Sequence, residues 1–164
     1  MNKHESMRGY FAYELFMKMK TAPNIWLLVG DLGYGVFDSH FKEYPERCIN
    51  CGASEQAMLG IAVGLSQAGK IPFVYSITNF LLYRPYETIR NYVNEEKADV
   101  KLIASGRDQD YIHDGFSHWS EDARKMLKGF TNIKQYWPNT KEEIPETVTS
   151  MIADKGPSFI SLSR

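Results

Sequence analysis

Apolar and polar residues run along this chain in short, regularly punctuated blocks. Tyr10 to Met19 carries apolar residues at helical spacing. Pro23-Asn24 interrupts that pattern, and Ile25-Trp26-Leu27-Leu28-Val29 follows as a brief apolar run suited to a strand covered on both faces. Gly30 to Gly35 reads as a glycine-containing loop. Ser54 stands at an N-cap position, ahead of a helical stripe of Ala57, Met58, Ile61, Ala62 and Leu65 that ends near Gly69. Pro72 to Ile77 predicts the next strand. Pro85 can open a helix carrying Ile89 and Val93. Val100 to Ala104 predicts a strand, Ser120 to Leu127 a helix, Ile133 to Tyr136 a strand, Ile144 to Ile152 a helix, and Ser158 to Leu162 a closing strand. Strands separated by helices imply an α/β fold, a three-layer sandwich with a mainly parallel sheet. No repeat, linker or low-complexity stretch divides the chain, so residues 1–164 are expected to form one domain.

In such sheets ligands sit beyond the carboxyl ends of the strands. Three segments fall there: the loop from Gly30, the helix start at Ser54-Glu55, and the polar loop from Ser105 to His118, which is long enough to suggest function. Composition narrows the reading by exclusion. Of the 164 residues, 43% are hydrophobic and 24% charged, with a net charge of −1, so nothing favours nucleic acid or an anionic membrane as partner. No apolar run approaches the ~20 residues that span a bilayer. Met1 to Ser6 is polar and unlike a secretory signal. Cys48 and Cys51 form a lone CxxC with no second pair of ligands, better read as a short apolar segment ending at Gly52 than as a metal or redox site. A cytoplasmic, reduced setting is expected.

The motifs carry the reading further. Asn50-Cys51-Gly52-Ala53-Ser54-Glu55-Gln56-Ala57-Met58, then Gly60 to Leu65, then Gly69-Lys70-Ile71-Pro72-Phe73, resembles the pyrimidine-binding domain of transketolases and deoxyxylulose-phosphate synthases. Phe80 to Arg90 resembles the family's aromatic-then-acid-Gln-Ile-Arg segment, and Asp114-Gly115-Phe116-Ser117-His118 its Asp-Gly-x-(Ser/Thr)-His. Trp137-Pro138 with Glu143, Arg8, and Asp31-Leu32 also stand where the family has counterparts. Together these ordered motifs run from Arg8 to the C-terminus.

The resemblance implies a thiamine-diphosphate-binding fold and names residues for it. Glu55 matches the glutamate that bonds the aminopyrimidine ring nitrogen and promotes the imino tautomer; to play this part it must share or donate a proton, which burial promotes. Phe80 matches an aromatic that packs on the pyrimidine, and Ile77 stands at a second family aromatic position. Asp31 matches a cofactor-side acid. His118 and Asp114 match groups that bond substrate hydroxyls, and Arg8 matches a substrate-phosphate anchor. Two further phosphate anchors of the family, a serine and a histidine, are replaced by Gly35 and Gly106, with Arg107 or His113 as candidate substitutes, so the usual sugar phosphates are in doubt. Gly30-Asp31-Leu32 with Asn50 downstream superficially resembles the Gly-Asp-Gly…Asn motif for magnesium and diphosphate. Leu32 replaces its second glycine and the gap is too short, so no metal site is expected on this chain.

The implied activity is transfer of a two-carbon ketol unit by one subunit of a split transketolase-like enzyme acting on a small sugar or ketose. Thiamine diphosphate would be shared with a companion subunit that holds Mg2+ and the diphosphate, in a heterotetramer. Such a companion would have about 250–300 residues, and this chain alone would bind the cofactor weakly. The alternatives are a split 2-oxo acid decarboxylase, a deoxyxylulose-phosphate-synthase-like enzyme, or a non-catalytic assembly subunit; retention of both Glu55 and His118 argues against the last. An apolar surface around Met58, Ile77, Phe80 and Leu82 is expected to face the companion.

Overall fold

Successive residues of a strand point to opposite faces of a sheet, so a strand covered on both sides is apolar at most positions, and the polar residues it buries need partners. The computed structural model, which describes residues 4–164, arranges the chain in this way. Met1–Lys3, half of the polar stretch at the N-terminus, lie outside the described residues. The strands are β1 (Ile25–Val29), β2 (Cys48–Asn50), β3 (Ile71–Ile77), β4 (Lys101–Ser105), β5 (Lys134–Tyr136) and β6 (Ser158–Leu162). They form one parallel sheet in the order β2-β1-β3-β4-β6-β5.

The alternation divides the core in two. Ile25, Leu27 and Val29, Phe73 and Tyr75, Ile103, and Ile160 and Leu162 point to one face. There they meet Phe11, Leu15 and Met19 of helix α1 (Met7–Thr21) and Val148 and Met151 of α7 (Ile144–Ala153). Leu28, Val74, Leu102, Ala104 and Phe159 point to the other. They meet Met58, Leu59 and Ala62 of α3 (Glu55–Gln67), Leu81 and Leu82 of α4 (Thr78–Tyr83), and Ala123 and Leu127 of α6 (Ala123–Leu127). Each fully buried Leu, Ile, Val, Phe or Met contributes roughly 1.5–3 kcal/mol. The three-layer α/β sandwich expected from the pattern is therefore present.

Several local expectations need correction. Ser54 precedes α3 but its side chain makes no capping hydrogen bond; its backbone, at φ −135° and ψ 62°, departs from the usual extended cap conformation. The helix expected after Pro85 starts as α5 (Tyr86–Thr88) and continues as a π-helical turn over Ile89–Glu95, still burying Ile89 and Val93. Two short helices, α2 (Asp38–Glu43) and α4, have too few residues to show a period in the sequence. Met58 and Leu82 do not reach the expected apolar surface. Both are fully buried, while Ile77 and Phe80 are half-buried.

His40 of α2 is fully buried, edge-on to Phe16 and Phe37 with ring centroids 5.3 and 5.2 Å away. Loss of solvation in this aromatic nest lowers its pKa to about 4. The unfolded chain gains a proton there near pH 6.5 and the folded chain only near 4, so stability falls as pH drops through that window. Between pH 7 and 5 this site should cost on the order of 2 kcal/mol. Urea denaturation at both pH values will measure it, and His40→Leu should remove that share of the slope.

Candidate active site

Beyond the carboxyl ends of β1, β3 and β4 the chain turns away from the sheet, and polar groups of different elements meet there. Glu55 opens α3 and is only 1% exposed. Its Oε1 accepts a hydrogen bond from the hydroxyl of Ser76, near the end of β3, at 2.8 Å. Its Oε2 accepts one from Nη1 of Arg84, just past α4, at 2.6 Å. Gly30 follows β1, where a Cβ would stand 3.1 Å from Oε1 and 3.2 Å from the Ser76 hydroxyl. The glycine is what lets the carboxylate approach the strand end this closely.

The guanidinium of Arg84 lies over the ring of Phe80, 3.9 Å from its centroid. On the same ring the imidazole of His118 rests edge-on at 5.0 Å. Two tethers hold α4 and the loop together. Thr78 donates its buried hydroxyl to the carbonyls of Ser105 and Gly106, and Asn79 donates its amide to those of Ser117 and Trp119, at 3.0 and 2.5 Å. These bonds turn the chain out of β3 into a helix and set Phe80 beside His118. Ile77, half-buried, occupies the N-cap position of α4.

The far side of the site is closed by Tyr111. Its hydroxyl lies 2.9 Å from Ser105 Oγ and accepts from Arg8 Nη1 at 3.5 Å, and its ring stands 6.3 Å from that of His118. The ring rests on Gly106, whose φ is +84° and whose Cβ would fall 2.2 Å from it. Tyr111 thus fills the space that a side chain at position 106 would take. Arg107 is not a substitute anchor: its guanidinium turns inward to the carbonyls of Pro138 and Ser161 and to Ser161 Oγ. Asp114 stands exposed on the 3-10 turn Ile112–Asp114, and Ser117 Oγ lies 3.0 Å from His118 Nδ1.

Asp31 is exposed with φ +56°. It accepts from the Tyr34 hydroxyl at 2.7 Å and from Asn50 Nδ2 at 3.3 Å, and these bonds lower its pKa. Asn50, at the end of β2, also accepts from the Asp31 backbone N–H. The two residues that mimic a diphosphate motif in the sequence do meet in space, but they bind one another and pin the loop after β1. Among the described residues no group of three or more His, Cys, Asp or Glu side chains is arranged to hold a metal, and Cys48 and Cys51 are free thiols.

The structure thus links Glu55, Phe80 and His118 through Arg84 and ring contacts, with Arg8 joined through Tyr111. Asp31 and Asp114 stay exposed outside that chain of contacts. Ser76, Asn79, Arg84 and Tyr111 do not stand out in the sequence. Glycine at 106 is the one signal that could have pointed to Tyr111, since a vacated position invites a neighbour.

A parallel α/β sandwich with a buried helix-start carboxylate, an aromatic ring and a loop histidine beyond its strand ends has the form of a cofactor-binding module. The family described as transketolase, pyrimidine binding domain, matches residues 4–164, and the chain belongs to it. A protein named as a putative transketolase C-terminal section from Methanocaldococcus jannaschii is 30% identical over 162 residues, covering 98% of this chain and 51% of the relative. A subunit of the apulose-4-phosphate transketolase of Actinobacillus succinogenes is 31% identical over 121 residues, covering 74% of this chain and 39% of that one. A solved structure described as a split gene transketolase, inactive beta4 tetramer, superposes with a TM-score of 0.85 at 29% identity, over 97% of this chain and 51% of that chain. The chain spans about half the length of the first of these relatives and less of the second.

Ser76 is the neutral support of the buried carboxylate. Ser76→Ala leaves Glu55 Oε1 without its donor and should cost about 1–3 kcal/mol of folding stability, read from urea denaturation.

Proposed function

We propose that the whole chain acts as the pyrimidine-binding domain of a split, thiamine-diphosphate-dependent transketolase, transferring a two-carbon ketol unit between sugars. The observation that carries this reading is Glu55: a buried carboxylate whose outer oxygen shares a guanidinium-sized space with the face of Phe80. Once Arg84 is withdrawn, that space would take a planar ring bearing a hydrogen-bonding nitrogen. The bound cofactor supplies the carbon nucleophile of the reaction. Glu55 bonds and shares a proton with the pyrimidine nitrogen, held in position by Ser76. Phe80 and Ile77 pack on the ring, and Asp31 is an acid on the cofactor side. His118 and Asp114 bond hydroxyls of the donor sugar.

Mg2+ and the diphosphate are held by a companion subunit. The names of the relatives, a C-terminal section, a single subunit of a larger enzyme and a split gene product, support this division of labour. We take the working enzyme to be a heterotetramer with two copies of each subunit. No helix among the described residues is long and apolar enough to cross a membrane. A cytoplasmic setting accords with two free cysteines.

Reconstitution with the companion subunit tests the assignment. Glu55→Gln keeps shape and loses the shared proton, so kcat should fall at least ~100-fold at saturating thiamine diphosphate. Near-normal turnover would remove Glu55 from the chemistry.

The distal end of the donor meets Arg8 capped by Tyr111, with glycine at both other anchor positions. Pentose phosphates should therefore be poor donors. Steady-state comparison of xylulose 5-phosphate with unphosphorylated ketoses should favour the latter in kcat/KM; a strong advantage for the phosphate would mean that other groups anchor it.

A further inference from the structure

The ion pair at the centre of the site involves an arginine that takes no part in the chemistry proposed above. Arg84 is well exposed, its side chain 44% accessible, yet its guanidinium binds the outer oxygen of a carboxylate that is 1% exposed. It simultaneously covers the face of Phe80 at 3.9 Å. Ser76 donates to the inner oxygen Oε1, and Arg84 holds Oε2, the oxygen that faces Phe80.

We infer that Arg84 is a placeholder for the cofactor's aminopyrimidine: in the chain on its own the guanidinium lies where the ring would lie, and it leaves when the ring enters. This inference rests on the function proposed above. The chemical likeness is close. A guanidinium is flat, points N–H groups at a carboxylate and stacks on aromatic faces. An aminopyrimidine is flat, offers a nitrogen to the same carboxylate and stacks on the same ring. The two would compete for the same space between Glu55 Oε2 and the face of Phe80.

The arrangement has a physical reason. A carboxylate buried at the strand ends with one neutral donor and no countercharge would be costly, and the site would tend to rearrange. Arg84 reaches in from the surface and satisfies it. Because nearly half of its side chain is exposed and it directly precedes Pro85 at a helix junction, it can return to water without repacking the core. The pocket is thus kept formed but closed, and the pyrimidine binds with an affinity reduced by the fraction of chains in which Arg84 is out.

Thiamine, without diphosphate or magnesium, is the probe, titrated into the purified chain. Side-chain NMR of 15N-arginine-labelled protein reports Arg84 directly, with Arg84→Lys used to assign its signal. The bound, slowly exchanging guanidinium signal should give way to that of a solvated arginine as thiamine saturates. Calorimetry should find thiamine bound about tenfold more tightly by Arg84→Met, the gain expected if roughly one chain in ten is open in the wild type. Arg84→Lys, which keeps charge but loses the stacking plane, should fall between them and covers the case in which Arg84→Met fails to fold. Thiamine binding with the Arg84 signal unmoved, or weaker binding by both variants, would overturn the placeholder and make Arg84 a direct contact of the ring. Binding abolished by Glu55→Gln but indifferent to both Arg84 variants would sink the placeholder alone. Absence of thiamine binding by every form of the chain, including its mixture with the companion, would sink the functional reading with it.

Discussion

A carboxylate removed from water at the open end of a parallel sheet is the constraint around which the rest of this site is arranged. Glu55 sits where three strands end and a helix begins, in a position that desolvates it almost completely. Such a group persists only if its oxygens are bonded and its charge is answered. Ser76 answers one oxygen from β3, Arg84 answers the other from the end of α4, and Gly30 after β1 gives way so that the carboxylate can approach. Several strands and two helices are therefore committed to the position of a single side chain, and parallel register carries that commitment through the sheet.

The second element of the site is held by quite different means. The loop after β4 has little apolar anchoring of its own. It is tied down through backbone carbonyls, by Thr78 to Ser105 and Gly106, by Asn79 to Ser117 and Trp119, and by Ser120 to Gly106 and Asp108. Side chains of the loop add to this hold, Arg107 to Pro138 and Ser161 and Tyr111 to Ser105. His118 reaches Phe80 because α4 grips the backbone on either side of the imidazole, and Tyr111 closes the far wall because glycine at 106 leaves room for it.

How much of this was legible in the chain depends on the range over which each feature is encoded. A short continuous apolar run such as Ile25–Val29 announces a strand buried on both faces, because side chains on either side of the sheet must leave water. The stripe from Ala57 to Leu65 announces a helix with one face against that sheet. Glu55, Phe80 and His118 could be singled out as candidates because each lies inside a local motif of fixed spacing. The short helices α2 and α4 were not, since six residues cannot display a period and the turn out of β3 is imposed by hydrogen bonds to a distant strand.

What the sequence determined by itself was the layered α/β architecture and the order of its main elements, both properties set by neighbours along the chain. Tertiary structure alone decided who meets whom. It paired Asp31 with Asn50, turned Arg107 inward to Ser161, buried Met58 and Leu82, brought Tyr111 onto Gly106, and set Arg84 between Glu55 and Phe80. Most of these contacts join residues from different strands, helices or loops. Their partners are chosen by packing and by the need to satisfy buried polar groups in three dimensions, and neither requirement leaves a mark on local sequence spacing.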